Sequence, residues 1–308
     1  MRRENGLRNN RGRAVPFRMK RLMKRIALIV VYLALPTFLL MCGPSLVPEL
    51  NHVVAEEKAA EGTTTTSPTL DELVSGKLAI VDLTWTLDAA NPYWPAENYE
   101  PFHLKTIATI EKNGVLSKAF YTPEHLGTHL DAPNHFEQNQ PSVDEIKSED
   151  LFAAGIVIDV AAQAETNADY RLSVADIAAW ETEHGRITDR SVVFLHTGWG
   201  RHWANYARYK NQDAMGKMHF PGFSREAAEF LVMQRHVRGI GIDTLSIDYG
   251  LSQDFIVHHV INKAGRYGLE NVAQLDKLPR KGFYVCVAPV KVRSGSGGPT
   301  RITAMFRR

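Results

Sequence analysis

The sequence predicts a mixed α/β fold. Short β-branched runs bounded by turn residues mark buried strands, and stretches with helical spacing of apolar positions are interspersed among them. The composition sets the scale: 308 residues, 44% hydrophobic and 23% charged, suffice for a globular core without staples.

The first element stands apart from the rest. Residues 1–55 carry ten basic residues and two acidic ones, and the basic residues precede an apolar run at 26–40. A basic stretch, an apolar core and then small or polar residues describe a secretory signal. The run is shorter than the ~20 residues that span a bilayer. Residues 1–55 therefore read as a signal peptide or, if retained, an N-terminal membrane anchor. Either implies an extracytoplasmic protein, periplasmic or secreted. Without the leader, 26 basic and 32 acidic residues remain, a net charge of −6. No Lys/Arg cluster stands in that body to neutralise phosphates, so a nucleic-acid partner is not expected.

Residues 56–76 are polar, with a four-threonine run, and read as a linker holding a short helix at 70–74. One domain is expected over 77–308. Its predicted strands cover 78–83, 103–110, 117–121, 155–160, 191–196, 237–242 and 283–290. Helices are predicted at 174–184, capped by Ser173, and at 224–235, with Ser224 as cap and Glu226 in the first turn. A third helix, 255–264, ends at Gly265. Only Cys286 remains once the leader with Cys42 is removed, so no intrachain disulfide can form. Cys286 is expected as a small core residue on a buried strand.

The chemistry concentrates in one segment. Within 125–135 stand His125, His129 and His135, three of the twelve histidines, with Asp131. His129 and Asp131 are two apart and share a face of an extended segment. Gly127 permits a turn that brings His125 to the same place. Pro133 stiffens the exit. Converging imidazoles and a carboxylate on a short, stiff segment suit a metal site rather than a polar loop with surface histidines, while spacing alone leaves the metal and its chemistry open.

The segment His125-Leu126-Gly127-Thr128-His129-Leu130-Asp131-Ala132-Pro133-Asn134-His135 resembles the H-x-G-T-H-x-D-x-P-x-H signature of the metal-dependent cyclase family, which includes bacterial kynurenine formamidases and isatin hydrolases. The stretches Asp82-Leu83-Thr84, Asn91-Pro92-Tyr93-Trp94-Pro95, Thr197-Gly198-Trp199, Phe220-Pro221-Gly222 and Gly239-Ile240-Gly241-Ile242-Asp243 are similar to its other landmarks. The resemblance covers 77–308. It implies a single α/β domain with a mixed, partly barrel-like sheet of the swivelling β/β/α type. It implies that His125, His129 and Asp131 hold one ion, and that Asp131 with His258 and Glu270, twelve apart, holds or bridges a second. His259 points about 100° away from His258 on a helix and reads as a surface or packing residue.

The five-residue set this resemblance implies is nitrogen- and oxygen-only, which suits Zn²⁺ or Mn²⁺, one ion or two as among the relatives, rather than a closed structural zinc site. Such a metal acidifies bound water and polarises a carbonyl. His135, four residues past Asp131, is the candidate catalytic proton shuttle; a further ligand or an orienting residue is the other reading. Tyr93, Trp94 and Trp199 are candidate substrate-binding walls, against the plainer reading of aromatic core. The implied function is hydrolysis of an amide C–N bond in a small substrate, of the arylformamidase type (N-formylkynurenine to kynurenine and formate). The alternative is a cyclic amide or lactone such as isatin. A non-catalytic metal-binding protein is the reading from another class. The leader weighs against tryptophan catabolism, which is normally intracellular. Relatives form homodimers or homotetramers, which is the expectation here.

Overall fold

The computed structural model describes residues 68–308. The leader, and the linker as far as residue 67, lie outside the described residues.

Order begins before the expected domain start. Helix α1 (Leu70–Val74) forms where a Thr69–Glu72 capping box satisfies its first amides. Glu72 is bidentate with Arg307 at 2.7 and 2.9 Å, and that guanidinium holds its carboxyl down at about 2. The short helix expected at 70–74 is thus formed, exposed on the surface and tied to the C-terminal end of the chain by the Glu72–Arg307 pair. Next come strand β1 (Leu78–Asp82) and a hairpin of β2 (His103–Ala108) and β3 (Ser117–Tyr121). The strand expected to reach residue 110 stops at 108, because the Thr109 side chain caps a one-turn helix, α2 (Ile110–Asn113). Among the described residues the hairpin pairs only with itself, and it exposes Leu104, Ile107 and Phe120.

The remaining strands are β4 (His129–Asp131), β5 (Phe152–Asp159), β6 (Arg171–Leu172), β7 (Val192–His196), β8 (Gly222–Phe223), β9 (Gly239–Ile242), β10 (Tyr267–Glu270), β11 (Phe283–Pro289) and β12 (Gly297–Arg307). Between them lie α3 (Ala161–Thr166), α4 (Val174–His184), α5 (Tyr206–Lys210), α6 (Arg225–Arg235) and α7 (Ile256–Lys263). Seven strands close a mixed ring in the order β12-β11-β5-β7-β9-β10-β4 and back to β12, with β1 appended on β12. Strands β5, β7, β9 and β10 run parallel; β4, β11 and β12 pair antiparallel. The partly barrel-like α/β sheet expected from the resemblance is present.

Period-two alternation explains the two cores. On β5, Ile156 and Ile158 face the helix layer, while Val157 points into the ring. On β7, Val193 and Leu195 face outward, and Val192 and Phe194 inward. Helices α4 and α6, with the expected Ser173 and Ser224 caps, bury Ile177, Trp180, Ala227, Ala228 and Leu231 on the outer layer. Each fully buried large aliphatic contributes about 1.5–3 kcal/mol. Cys286 departs from expectation. Strand β11 alternates, with Phe283, Val285 and Val287 buried and Cys286 half-buried on the other face. The run looked continuously apolar because Tyr284 and Ala288 occupy its outer face.

Candidate active site

Strand β4 sits between β10 and β12, with His129 opposite Glu270 and Asp131 opposite Gly268. The pleat thus puts His129 and Asp131 on one face, beside Glu270. A Cβ on residue 268 would come within 3.0 Å of Asp131 Oδ2, so glycine there leaves the carboxylate its room. Gly127, at φ +67°, turns the chain so that His125 reaches the same spot. Helix α7 brings His258 from the other side.

The donors converge. Asp131 Oδ1 lies 2.6 Å from His125 Nδ1 and 3.2 Å from His129 Nε2. Glu270 Oε2 is 3.4 Å from His129 Nε2, and Glu270 Oε1 is 3.2 Å from His258 Nε2. Asp131 Oδ2 and His258 Nε2 are 3.6 Å apart. Two triads result, His125–His129–Asp131 and Asp131–His258–Glu270, each with its ligand atoms within 4.8 Å of one another. Asp131, with two oxygens, belongs to both.

The outer hydrogen bonds fix which nitrogens face inward. His129 Nδ1–H donates to the Gly127 carbonyl at 2.9 Å. His258 Nδ1–H donates to Asp248 Oδ2 at 2.7 Å. Both leave Nε2 for the centre, the arrangement metal-binding histidines use. The Ile247 amide donates to Glu270 Oε1 at 2.9 Å. His129 Nε2 and Asp131 Oδ2 are buried without a hydrogen-bond partner in the described structure. Orphaned buried acceptors are costly, and here they fit a cation.

Electrostatics agree. Burial alone would push the His129 imidazole down, but Asp131 and Glu270 raise it to about 10. His258 is likewise raised: burial opposes the shift, and the Asp131, Asp248 and Glu270 carboxylates outweigh it. Burial opposes ionisation of Asp131, yet the charge on His129 and the adjacent His125 and His258 rings hold its carboxyl well below the usual range. The cluster draws positive charge into a place that burial would keep neutral.

His135 stacks on His125 with ring centroids 3.8 Å apart and stands edge-on to His258 at 5.9 Å. Burial pushes its imidazole down to about 3, so it is neutral near pH 7. It shares a cavity of about 180 Å³ with Trp94, Tyr99, Phe136 and Phe255, floored by His125, His258 and Glu270. Trp94 meets Phe255 edge-on at 5.6 Å.

Residues 81–249 match the family model Cyclase, described as "Putative cyclase". The chain belongs to the cyclase family. Isatin hydrolase from Roseibium aggregatum is 30% identical over 249 residues, which are 76% of this chain and 94% of that protein. Kynurenine formamidase from Bacillus cytotoxicus is 25% identical over 222 residues, covering 72% and 94%. Among solved structures, isatin hydrolase A from Labrenzia aggregata bound to benzyl benzoate aligns with TM-score 0.73 and 35% identity, covering 77% of this chain and 97% of that one. This cyclase-family chain is a metal-dependent hydrolase. The family match includes His125, His129 and Asp131, while His258 and Glu270 lie beyond it.

Two expected walls of this cyclase-family cavity stand elsewhere. Tyr93 stacks on Tyr206 at 5.2 Å, and its carbonyl accepts the Tyr206 hydroxyl. Trp199 is buried beside Trp203 and Tyr209, its indole N–H donating to the Tyr209 carbonyl. Both took the plainer role of large aromatics, packing. His259 pairs with Glu137 at 2.9 Å on the outer side of α7.

The sequence reading missed several contributors. Asp248 orients His258. Ser296 Oγ lies 2.9 Å from His125 Nε2 and donates to Glu124 at 2.6 Å. Tyr99 lines the cavity, its phenol raised by burial and by Asp131, Glu270 and Glu124. Phe136 and Phe255 adjoin recognised segments, and their aromatic character was a usable signal. Asp248 and Ser296 had none, since their partners lie 10 and 171 residues away.

Proposed function

We propose that this protein hydrolyses the amide C–N bond of a small, uncharged aromatic cyclic amide of the isatin kind. One observation carries that choice. The cavity walls are aromatic, and among the described residues its lining includes no Lys or Arg. An α-carboxylate such as that of N-formylkynurenine would find no Lys or Arg partner on those walls, while a planar bicyclic ring stacks on them. The arylformamidase reading remains the second, supported by the kynurenine formamidase relatives.

His125, His129, Asp131, His258 and Glu270 would hold the metal, and the N/O-only donor set supports Zn²⁺ or Mn²⁺, one ion or two. A bound ion supplies an acidified water and a polarised carbonyl. The protein's own groups do the rest. Trp94 and Phe255 orient the ring. Neutral His135, stacked on His125 and lining the cavity, is placed to accept a proton from the attacking water and return it to the departing nitrogen. The aromatic walls exclude competing water.

The leader supports export, with the protein periplasmic, secreted or membrane-anchored. The uncovered β2–β3 hairpin supports assembly as a homodimer or homotetramer. Metal analysis of the purified protein, with a hydrolysis screen of isatin, N-formylkynurenine, formamides and lactones, tests the reading. Isatin turnover that is lost on chelation and restored by Zn²⁺ or Mn²⁺ is expected. A metal-replete protein that turns over none of them overturns it.

A further inference from the structure

We infer that Gly127-Thr128 and Asn271 form a two-way clasp in which Asn271 is a positioning residue for His129 and Glu270. The inference rests on the cluster being a metal site. Asn271 directly follows Glu270, is 2% exposed and holds φ +54°, a left-handed backbone. Glycine would adopt that backbone without steric cost. Asparagine tolerates it too, and here its side chain is engaged at both ends.

The Asn271 Nδ2–H donates to the Gly127 carbonyl at 2.9 Å. That same oxygen accepts the His129 Nδ1–H, also at 2.9 Å. Because a carbonyl can only accept, the Asn271–Gly127 bond sets which way the amide faces; Asn271 Oδ1 then accepts at 3.0 Å from the Tyr209 hydroxyl, whose proton is shared with the Asp243 carbonyl at 2.8 Å. In the other direction, Thr128 Oγ1 donates to the Asn271 carbonyl at 2.7 Å while accepting from the Trp85 amide at 3.0 Å. The side chain of each segment thus bonds the backbone of the other.

The location gives the clasp its function. The β4–β10 ladder stops at the pair His129–Glu270. The clasp takes over one residue beyond it, so both ligands are held from two sides. Gly127, at φ +67°, precedes a peptide that its own sterics restrain little. A second donor on its carbonyl keeps that oxygen aimed at His129 Nδ1, which keeps the proton there and Nε2 free to bind. Asn271 borders the cavity. Both ends of its amide are nevertheless used within the protein, so it acts through Gly127 rather than on substrate.

The test uses the full chain, with Zn²⁺ affinity from chelator competition, the melting temperature of the metal-free protein, and kcat and KM at saturating metal. Asn271→Asp keeps the shape, the left-handed backbone and the bond from Tyr209, but sets an oxygen against the Gly127 carbonyl. Thr128→Val keeps the volume and removes the hydroxyl. Each should weaken Zn²⁺ binding by about 10–100-fold, with KM unchanged and kcat recovered within a few fold at saturating metal. The double variant should lose less than the product of the two, because both break one clasp. Tyr209→Phe, which unlocks the amide and also leaves the Asp243 carbonyl without that hydroxyl, should lose affinity severalfold beyond any change in metal-free melting temperature, and it serves if Asn271→Asp does not fold. Unchanged affinity in these variants, fully multiplicative losses, or losses that merely track the metal-free melting temperature overturn the clasp. A wild-type protein that binds no metal would instead sink the proposed function.

Discussion

Asp248→Asn offers the most informative single substitution. Asp248 Oδ2 accepts from His258 Nδ1 at 2.7 Å and from the His258 amide at 3.2 Å, while Oδ1 accepts from the Val257 amide at 3.0 Å. Helix α7 starts at Ile256, and Phe255 at its N-cap position supplies no side-chain cap, so this distant carboxylate does. Asparagine keeps one acceptor and turns the other into a donor. The lost cap costs about 1 kcal/mol, and a buried donor left facing an N–H adds about 1–3 kcal/mol. The lower-energy escape is for His258 to move its proton to Nε2 and accept from the new amide. That tautomer removes the lone pair aimed at Asp131 and Glu270. Metal affinity should then fall about 10–100-fold, or about 1.4–2.7 kcal/mol. Chelator competition reads the first effect and the melting of metal-free protein the second. A variant whose metal affinity stays within about threefold of wild type would refute the tautomer argument.

Four further outcomes are expected. His135→Ala should keep its metal but lose about 10²–10⁴-fold in kcat; normal turnover would remove it from the mechanism. Trp199→Ala should cost about 3–5 kcal/mol as a core truncation, a melting drop on the order of 10 °C, with KM unchanged. Trp94→Ala should show the opposite split, a raised KM with little loss of stability, as steady-state kinetics and calorimetry would read. For pH, His129 is raised to about 10 from an ordinary ~6.5, so its stabilising share is complete below about 6.5 and is lost as pH climbs toward about 10. Asp131 and Glu270 are lowered, so theirs is present above the ordinary carboxylate range and is lost only in stronger acid. Metal-free protein should therefore melt progressively lower between pH 6.5 and 10. Its metal affinity should rise over the same range, because binding displaces those protons.

Legibility followed how local each signal was. Ser173 and Ser224 announced their helices because a cap and its amide partners lie within three residues. The β-branched runs of β5, β7 and β9 were plain because both faces are buried. Strands β4 and β10 were not recognised, since three or four residues carrying His, Asp and Glu read as loop; pairing with each other and with β12 and β9 makes them strands. Strand β12 hid behind Gly297-Gly298-Pro299, residues that usually punctuate. In the site, tight spacing exposed His125, His129 and Asp131. His258 and Glu270 needed the family pattern, because their convergence depends on α7 and β10 closing over β4. The aromatic walls were the weakest ground: Tyr93, Trp94 and Trp199 have the same character in sequence, and tertiary packing alone put one into the cavity.

Strand β4 is three residues long, and among the described residues it alone joins β10 to β12. Two of those residues, His129 and Asp131, face the cation cluster. Drawing the ring shut and assembling the site are thus one event, and a bound ion rivets the shortest seam of the barrel. By mass action, loading should slow amide exchange first at Leu130 and its neighbours across the seam, leaving the parallel strands opposite almost untouched. The protein then carries a built-in quality check: a copy that fails to close cannot bind the metal, and so cannot act on substrate.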